Sequence, residues 1–360
     1  VTSKPKLLTA PFPYFGGKSR VAAVIWDRLG DPDNYIEPFA GSLAVLLRRP
    51  SAPRTETAND LDCMVANFWR AVARDPEAVA AWADWPINEA DLHARHCWLV
   101  HSAETAAFRE RVQTDPDYHD AKIAGWWCWG LGCWIGRGWC AERAGRPPRK
   151  LPGIGVPSGK GVCRRRPHLA AGARGVHARG GAADDCAAHR TWLIDWFQRL
   201  RDRLRYVRVC CGNWMRVCDS PAVTTAHGTT AIFLDPPYPI RRMDGTASRA
   251  ACYVTDLASG CKTPDQLRDE VLSYCRARGA DPLLRICVAG YEGDGYEALE
   301  REGWSVVAWE SQGGYSNKTG RKGANAARER LWFSPHCVRE RTLFEDTSGG
   351  GGSAQVSAEC

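Results

Sequence analysis

The stretch TTAIFLDPPYP, Thr229 to Pro239, decides how the rest of the chain is read. TTAIFL is a short unbroken apolar run, the pattern of a strand buried on both faces. It stops at Asp235, and Pro236 biases the residue before it to extended geometry, so the strand runs straight into the carboxylate. Imides lack N–H donors and leave their carbonyls as acceptors. Asp235 and the Pro236 carbonyl therefore form two acceptors side by side, which suits an amino group with two N–H donors. The ring of Tyr238 beside them can stack on a flat base. A purely structural proline turn is the plainer alternative, but an apolar strand ending in D-P-P-Y is rarer than either half.

Working outward, strands and helices alternate on both sides of this stretch. NYIEPFAGSLAVLL (34–47) reads as a short strand, a glycine turn and a helix, and TETAND (55–60) as a second strand. LDCMVANFWRAV carries Leu61, Met64, Val65, Phe68, Trp69 and Val72 at spacings of three and four, a helical stripe. From Asp75 to Asp120 the pattern is helical, with Asp75-Pro76 as cap and first turn. Leu193, Trp196, Phe197, Leu200 and Leu204 mark the buried face of another helix, and RYVRVCCGNW (205–214) is a strand. Thr263 and Gln266 have capping-box spacing at the start of a helix that Gly279 ends. RICVAGY, WSVVAWE and RERLWFS close the series as strands. Such alternation signals an α/β protein with a sheet covered by helices.

Between the two groups of strands the composition changes. Five tryptophans fall between 126 and 139 (Trp126, Trp127, Trp129, Trp134, Trp139). Between Arg143 and Gly181 there are ten Lys or Arg and no acid. The expected division is therefore 1–85, a first part of the main domain; 86–190, an inserted, mainly helical and loop domain that is basic and Trp-rich; 191–345, its second part; and 346–360, a Gly/Ser-rich flexible tail. The tryptophans read as the core of the insertion rather than a stacking platform. Arg143, Arg146, Arg149, Lys150, Arg164, Arg165 and Arg166 are the candidates for neutralising phosphates; a solvated basic loop is the alternative.

Bulk properties narrow the class. The 360 residues are 44% hydrophobic and 25% charged, ordinary for a globular protein, and the net charge of +7 leans mildly toward a polyanionic partner. No run approaches 18 apolar residues, so no membrane span is expected, and the N-terminus lacks the apolar core of a signal peptide. Sixteen cysteines include no CxxC pair, which suits free thiols in a reducing cytosol. Cys128, Cys133 and Cys140 with His168 or His177 fit no standard zinc spacing, and no metal is expected.

Three further motifs carry chemistry. A glycine in EPFAGS, at the end of a strand, lets backbone approach a ligand outside the sheet's carboxyl edge, although a plain turn looks similar. It is not GxGxxG, which disfavours a dinucleotide-dependent oxidoreductase. Asp60, at the end of the second strand, stands where ribose hydroxyls are gripped, or it caps the following helix. PYFGGKSR (13–20) resembles half of a phosphate loop, and Lys18 can instead pair with a carboxylate.

Taken together and in this order, PYFGGK, YIEPFAGS, AND and DPPY resemble the D12 class (Dam-like) of DNA N6-adenine methyltransferases, over roughly residues 11–70 and 190–335. The resemblance implies a Rossmann-like S-adenosylmethionine-dependent methyltransferase sheet with an inserted target-recognition domain. It places Tyr14 and Lys18 near the methionine end of S-adenosyl-L-methionine, with Glu37, Phe39 and Gly41 lining the cofactor pocket and Asp60 on the ribose. Tyr14 stands where the Dam branch usually has tryptophan. Asn213 falls where an acid often contacts the cofactor adenine. Asp235, Pro236, Pro237 and Tyr238 would form the catalytic tetrad, Asp235 also touching the cofactor pocket. Double-stranded DNA is the implied partner. A monomeric enzyme in the cytoplasm of a prokaryotic or phage-infected cell, of the restriction-modification kind, is the implied setting. N4-cytosine methylation and a catalytically inactive DNA-binding relative are the alternatives.

Overall fold

A computed structural model describes residues 8–14, 17–115, 117–134, 139–140, 175–177, 186–238, 263–309 and 328–338. Seven strands form one sheet: β1 (Asn34–Glu37), β2 (Thr55–Asp60), β3 (Val207–Cys211), β4 (Thr230–Leu234), β5 (Leu284–Tyr291), β6 (Ser305–Ala308) and β7 (Glu329–Phe333), in the order β3-β2-β1-β4-β5-β7-β6. The first five are parallel to one another, and β7 runs antiparallel to both β5 and β6. The helices are α1 (Ala22–Leu29), α2 (Cys63–Arg74), α3 (Pro76–Ala83), α4 (Glu89–His101), α5 (Ala103–Thr114), α6 (Ala121–Cys133), α7 (Cys186–Leu204) and α8 (Pro264–Arg278). This mixed α/β arrangement is compatible with a methyltransferase fold.

Side-chain alternation along the central strands explains why both faces of the sheet are covered. Tyr35, Phe233 and Cys287 point into a core shared with α1, α2, α3, α6 and α7, while Ile36, Ile232, Leu234, Ile286 and Val288 point into a second core with α8. All five residues of β4 and all four of β1 are buried. A strand enclosed on both faces needs a continuous apolar run, which TAIFL supplies. Both strands then end in the same way, as acid followed by proline: Glu37-Pro38 and Asp235-Pro236. Proline has no N–H for the ladder, so pairing stops there and the acid is left at the sheet's edge.

The expected helices are present with local differences. Helix α8 carries the full capping box between Thr263 and Gln266, and Asp75 caps α3 through a bond from Ala78 N–H. The helical stretch from 75 to 120 is three helices, broken around Pro86 and Ser102. After EPFAGS the expected helix reduces to one 3-10 turn, Leu46–Arg48. Leu43 has a φ of 51° and the Leu46 N–H is taken by the Glu37 carboxylate, so helical hydrogen bonding does not propagate. Leu61 is 44% exposed rather than part of the α2 stripe, because α2 begins only at Cys63, capped by Asp62. Trp196 is half-buried and donates its indole N–H to Thr9 O.

Helix α6 holds much of the tryptophan-rich segment. It packs on α2 and α3, with Trp127 and Trp129 buried in the first core. Gly130 permits this, since a Cβ there would fall 1.9 Å from the Trp139 ring. The side chain of Arg95 lies over the rings of Trp85, Trp126 and Trp129, filling the space between α4 and α6. Among the described residues no helix is long and apolar enough to cross a membrane.

One buried ionic network ties α7 to the sheet. Glu56 of β2, fully buried, accepts from Arg203 Nη1 at 2.6 Å and Nη2 at 2.9 Å, and from Arg49 Nη1 at 3.3 Å. Arg203 also donates to Leu46 O at 2.9 Å. Removing Arg203 leaves the buried Glu56 with the longer Arg49 contact alone, at a cost of about 3 kcal/mol. Arg203→Met is expected to lower the unfolding free energy from urea titration by that amount, whereas Arg201→Met, on the exposed face of α7, is expected to leave it within about 0.5 kcal/mol. Equal effects of the two would contradict the role given to Glu56.

Candidate active site

The strand order reverses direction between β1 and β4, and in open α/β sheets a ligand sits outside the carboxyl ends of the strands at such a point. A cleft lies there. The ends of three neighbouring strands each deliver a carboxylate to its wall: Glu37 from β1, Asp60 from β2 and Asp235 from β4. Tyr14 and Lys18 reach it from the segment before α1, and Phe39, Gly41 and Pro237 complete the set of expected residues that line it. Residues 60 and 235, 175 positions apart in sequence, thus share one cavity because β2, β1 and β4 are adjacent and parallel.

The β2 end is fixed by backbone bonds. Asp60 Oδ2 accepts from Gly41 N–H and Oδ1 from Asp62 N–H, both at 2.9 Å. Burial pushes the Asp60 carboxyl up, against these donors, which pull it down. The helix cap is made by Asp62 rather than Asp60: it accepts from Met64 N–H at 2.8 Å. Asn59 stitches the neighbouring loops together by donating to Pro38 O and Gly212 O. Gly41 has a φ of 45°, and a Cβ on it would fall 2.5 Å from the Tyr14 ring. The glycine therefore serves both the left-handed turn and the close seat of Tyr14. Trp69 of α2 holds the Gly41 carbonyl at 2.8 Å.

The β4 end is built around a buried cation. Lys18, 2% exposed, places Nζ 2.9 Å from Asp235 Oδ1. The hydroxyl of Tyr238 donates to that same oxygen at 2.8 Å, which folds its ring back over the carboxylate. Oδ2 of Asp235 takes neither bond. Tyr238 meets Tyr291, at the end of β5, edge to face with centroids 4.7 Å apart. Pro236 is buried and Pro237 half-buried.

Glu37 lies between the two ends. It is 3% exposed, and its Oε2 accepts from Leu46 N–H at 3.2 Å and from the Tyr35 hydroxyl at 3.4 Å. Burial pushes its carboxyl up to about 8, with the Asp235 charge adding to the rise.

The remaining expected residues lie outside the cleft lining or outside the described residues. Asn213 is exposed outside the cleft lining, and its amide oxygen caps the 3-10 turn Trp214–Val217 by accepting from Met215 N–H at 2.9 Å. Its neighbour Trp214 packs 5.8 Å from the Phe39 ring. Arg143, Arg146, Arg149, Lys150, Arg164, Arg165 and Arg166 lie outside the described residues. The sequence reading missed Ser42 and Ala44, which line the cleft, and Tyr291, Trp309 and Glu329, which approach its β4 end from β5, β6 and β7. The three thiols Cys128, Cys133 and Cys140 are buried, and burial pushes Cys133 up to about 12.

The Glu37 environment has a consequence for stability. Its folded value, about 8, exceeds its ordinary 4.5, so the folded state binds the proton more tightly than the unfolded chain. Stability is favoured at low pH and declines as pH rises from the ordinary value through the folded one, at about 1.4 kcal/mol per unit of separation. Glu37→Gln keeps the acceptor and removes the titration. Its melting temperature relative to the parent is expected to rise between pH 5 and pH 9. A difference that stays flat across that range would show that burial does not burden this carboxylate.

Residues 14–91 match the model of the family described as D12 class N6 adenine-specific DNA methyltransferase. The matched stretch runs from Tyr14 through β1, β2 and α2 into α4, and so contains every cleft residue except those of β4 and its exit loop. No curated protein matches the chain. The part of the cleft built before β4 thus lies in the stretch of the chain that is similar to the D12 class of N6-adenine DNA methyltransferases.

Proposed function

We propose that the protein transfers a methyl group from S-adenosylmethionine to N6 of an adenine flipped out of duplex DNA. The observation that carries this reading is the meeting of Glu37, Asp60 and Asp235 in one cleft at the reversal between β1 and β4. The match of residues 14–91 supports it independently.

The chemistry of the donor set fits S-adenosylmethionine. The Asp60 oxygens accept backbone N–H groups, Gly41 on one and Asp62 on the other, and retain lone pairs for a ribose diol. Phe39 offers a ring face for the adenine. Glu37 adds acidic character that suits a ligand bearing a sulfonium and an ammonium, and Tyr14 closes the methionine end. When bound, the cofactor supplies an electrophilic methyl group on a sulfonium.

The rest of the work falls to the chain. A base inside a duplex is out of reach, so it is flipped, at a cost of a few kcal/mol. Asp235 Oδ2 and the Pro236 carbonyl accept the two N6 hydrogens, and the Tyr238 ring meets the base plane. These bonds turn the nitrogen lone pair out of conjugation and toward the donor. Positioning and local electrostatics supply the rate, with no covalent enzyme intermediate. In this reading residues 86–190 recognise the target, with Arg143, Arg146, Arg149, Lys150 and Arg164 to Arg166 on phosphates. The enzyme is a cytoplasmic, DNA-associated monomer of the Dam-like, restriction-modification kind.

Incubation with duplex DNA and methyl-labelled S-adenosylmethionine, followed by digestion to nucleosides, is expected to place the label in N6-methyldeoxyadenosine. Asp235→Ala is expected to abolish transfer and leave cofactor affinity near that of the parent. Asp60→Ala is expected to weaken cofactor binding by 10-fold or more, about the 1.5–3 kcal/mol of hydrogen bonds to a charged group. Label in N4-methyldeoxycytidine, or no label in DNA, would overturn the assignment.

A further inference from the structure

The acceptor Asp235 does not stand alone at the end of β4. Lys18 Nζ lies 2.9 Å from Asp235 Oδ1 and 3.8 Å from Glu329 Oε2. The same ammonium sits 5.1 Å from the Tyr238 ring centroid and 5.7 Å from that of Trp309. Lys18 and Glu329 are 2% and 5% exposed. An ammonium taken out of water this far needs compensating charge, and two carboxylates and two ring faces provide it.

We propose that Lys18 and Glu329 are positioning residues for the methyl acceptor: Lys18 clamps Asp235 so that Oδ2 faces the substrate amine, and Glu329 anchors Lys18 and offsets its charge. The proposal rests on the methyl-transfer reading above and deepens it, moving the weight of Lys18 from cofactor binding to the acceptor.

The geometry supports a clamp. Lys18 and the Tyr238 hydroxyl both engage Oδ1, which fixes the carboxylate plane and leaves the other oxygen for a ligand. A carboxylate allowed to swing loses the alignment that positioning demands, and misplacement by about 1 Å can cost about 100-fold in rate.

Charge explains why a third group is needed. The amine nitrogen would bond the methyl carbon as the carbon–sulfur bond breaks, its electron pair staying on sulfur in a neutral thioether, S-adenosylhomocysteine, that leaves; the nitrogen takes on the positive charge and then releases one N–H proton to water. A site containing only Lys18 and Asp235 would be neutral overall. With Glu329 ionised it carries one net negative charge, which favours the transient cation on nitrogen. Glu329 opens β7, whose antiparallel pairing sets it opposite Tyr291 at the end of β5. The antiparallel strand is what turns this acid toward the carboxyl edge of the parallel strands.

The test uses the full chain, duplex DNA and S-adenosylmethionine, with folding checked by melting temperature. In Lys18→Ala, kcat is expected to fall by about 100-fold while cofactor Kd stays within about threefold of the parent. Butylammonium in the assay is expected to restore part of kcat, and butanol, which fills the same space without charge, is not. Glu329→Gln is expected to lower kcat by about 10-fold with cofactor Kd unchanged, which keeps the test open if Lys18→Ala does not fold. Loss of cofactor affinity with intact kcat in either variant, or equal rescue by butanol and butylammonium, overturns the proposal while leaving the methyl-transfer reading standing. A parent that transfers no methyl to DNA overturns both.

Discussion

Everything in the site depends on β1 and β4 lying side by side and parallel, each closing in an acid followed by a proline. Parallel pairing sends both chain exits to the same edge, and the proline stops the ladder at that residue. Glu37 and Asp235 are therefore set facing one cleft by backbone chemistry alone. Neighbouring β2, parallel to β1, brings Asp60 to the same edge at its own carboxyl end, without a proline. The cores on both faces enforce this pairing, because a one-residue slip of β4 would carry Phe233 out of one core and Leu234 out of the other.

A cleft with three carboxylates at its rim would repel itself if all three were bare. Each is treated differently. Asp60 is satisfied by backbone N–H groups, Asp235 by an ammonium and a phenol, and Glu37 by a proton, burial pushing it up to about 8. A cationic ligand entering this cleft would meet one carboxylate that can ionise in response.

The sheet and most of the cleft were legible in the sequence because their signals are local. An apolar run that stops at D-P-P-Y, a glycine after an acid and proline, and an acid ending a short strand each announce a strand end. Alternation of strand and helix then brings such ends together. Other features depend on contacts between distant segments and had no local signature. Glu329 is an ordinary acid in RERLWF until antiparallel pairing of β7 with β5 turns it toward Lys18. The helix expected after EPFAGS gave way to a 3-10 turn because a buried carboxylate captured the Leu46 N–H. Leu61 fits the helical stripe of α2 by spacing, yet the cap at Asp62 starts the helix after it. Asn213 was expected near the cofactor adenine by the family resemblance alone, and its amide oxygen caps the turn that follows β3.

The central claim is that the cavity joining residues 14–18, 37–41 and 60 to Asp235 holds S-adenosylmethionine with its reactive end toward β4. A crystal structure with S-adenosylhomocysteine bound tests it most directly. The account predicts ribose hydroxyls on the Asp60 carboxylate and the thioether sulfur facing Asp235. Ligand density in any other part of the molecule, or the ligand reversed with its sulfur turned away from Asp235, would contradict it.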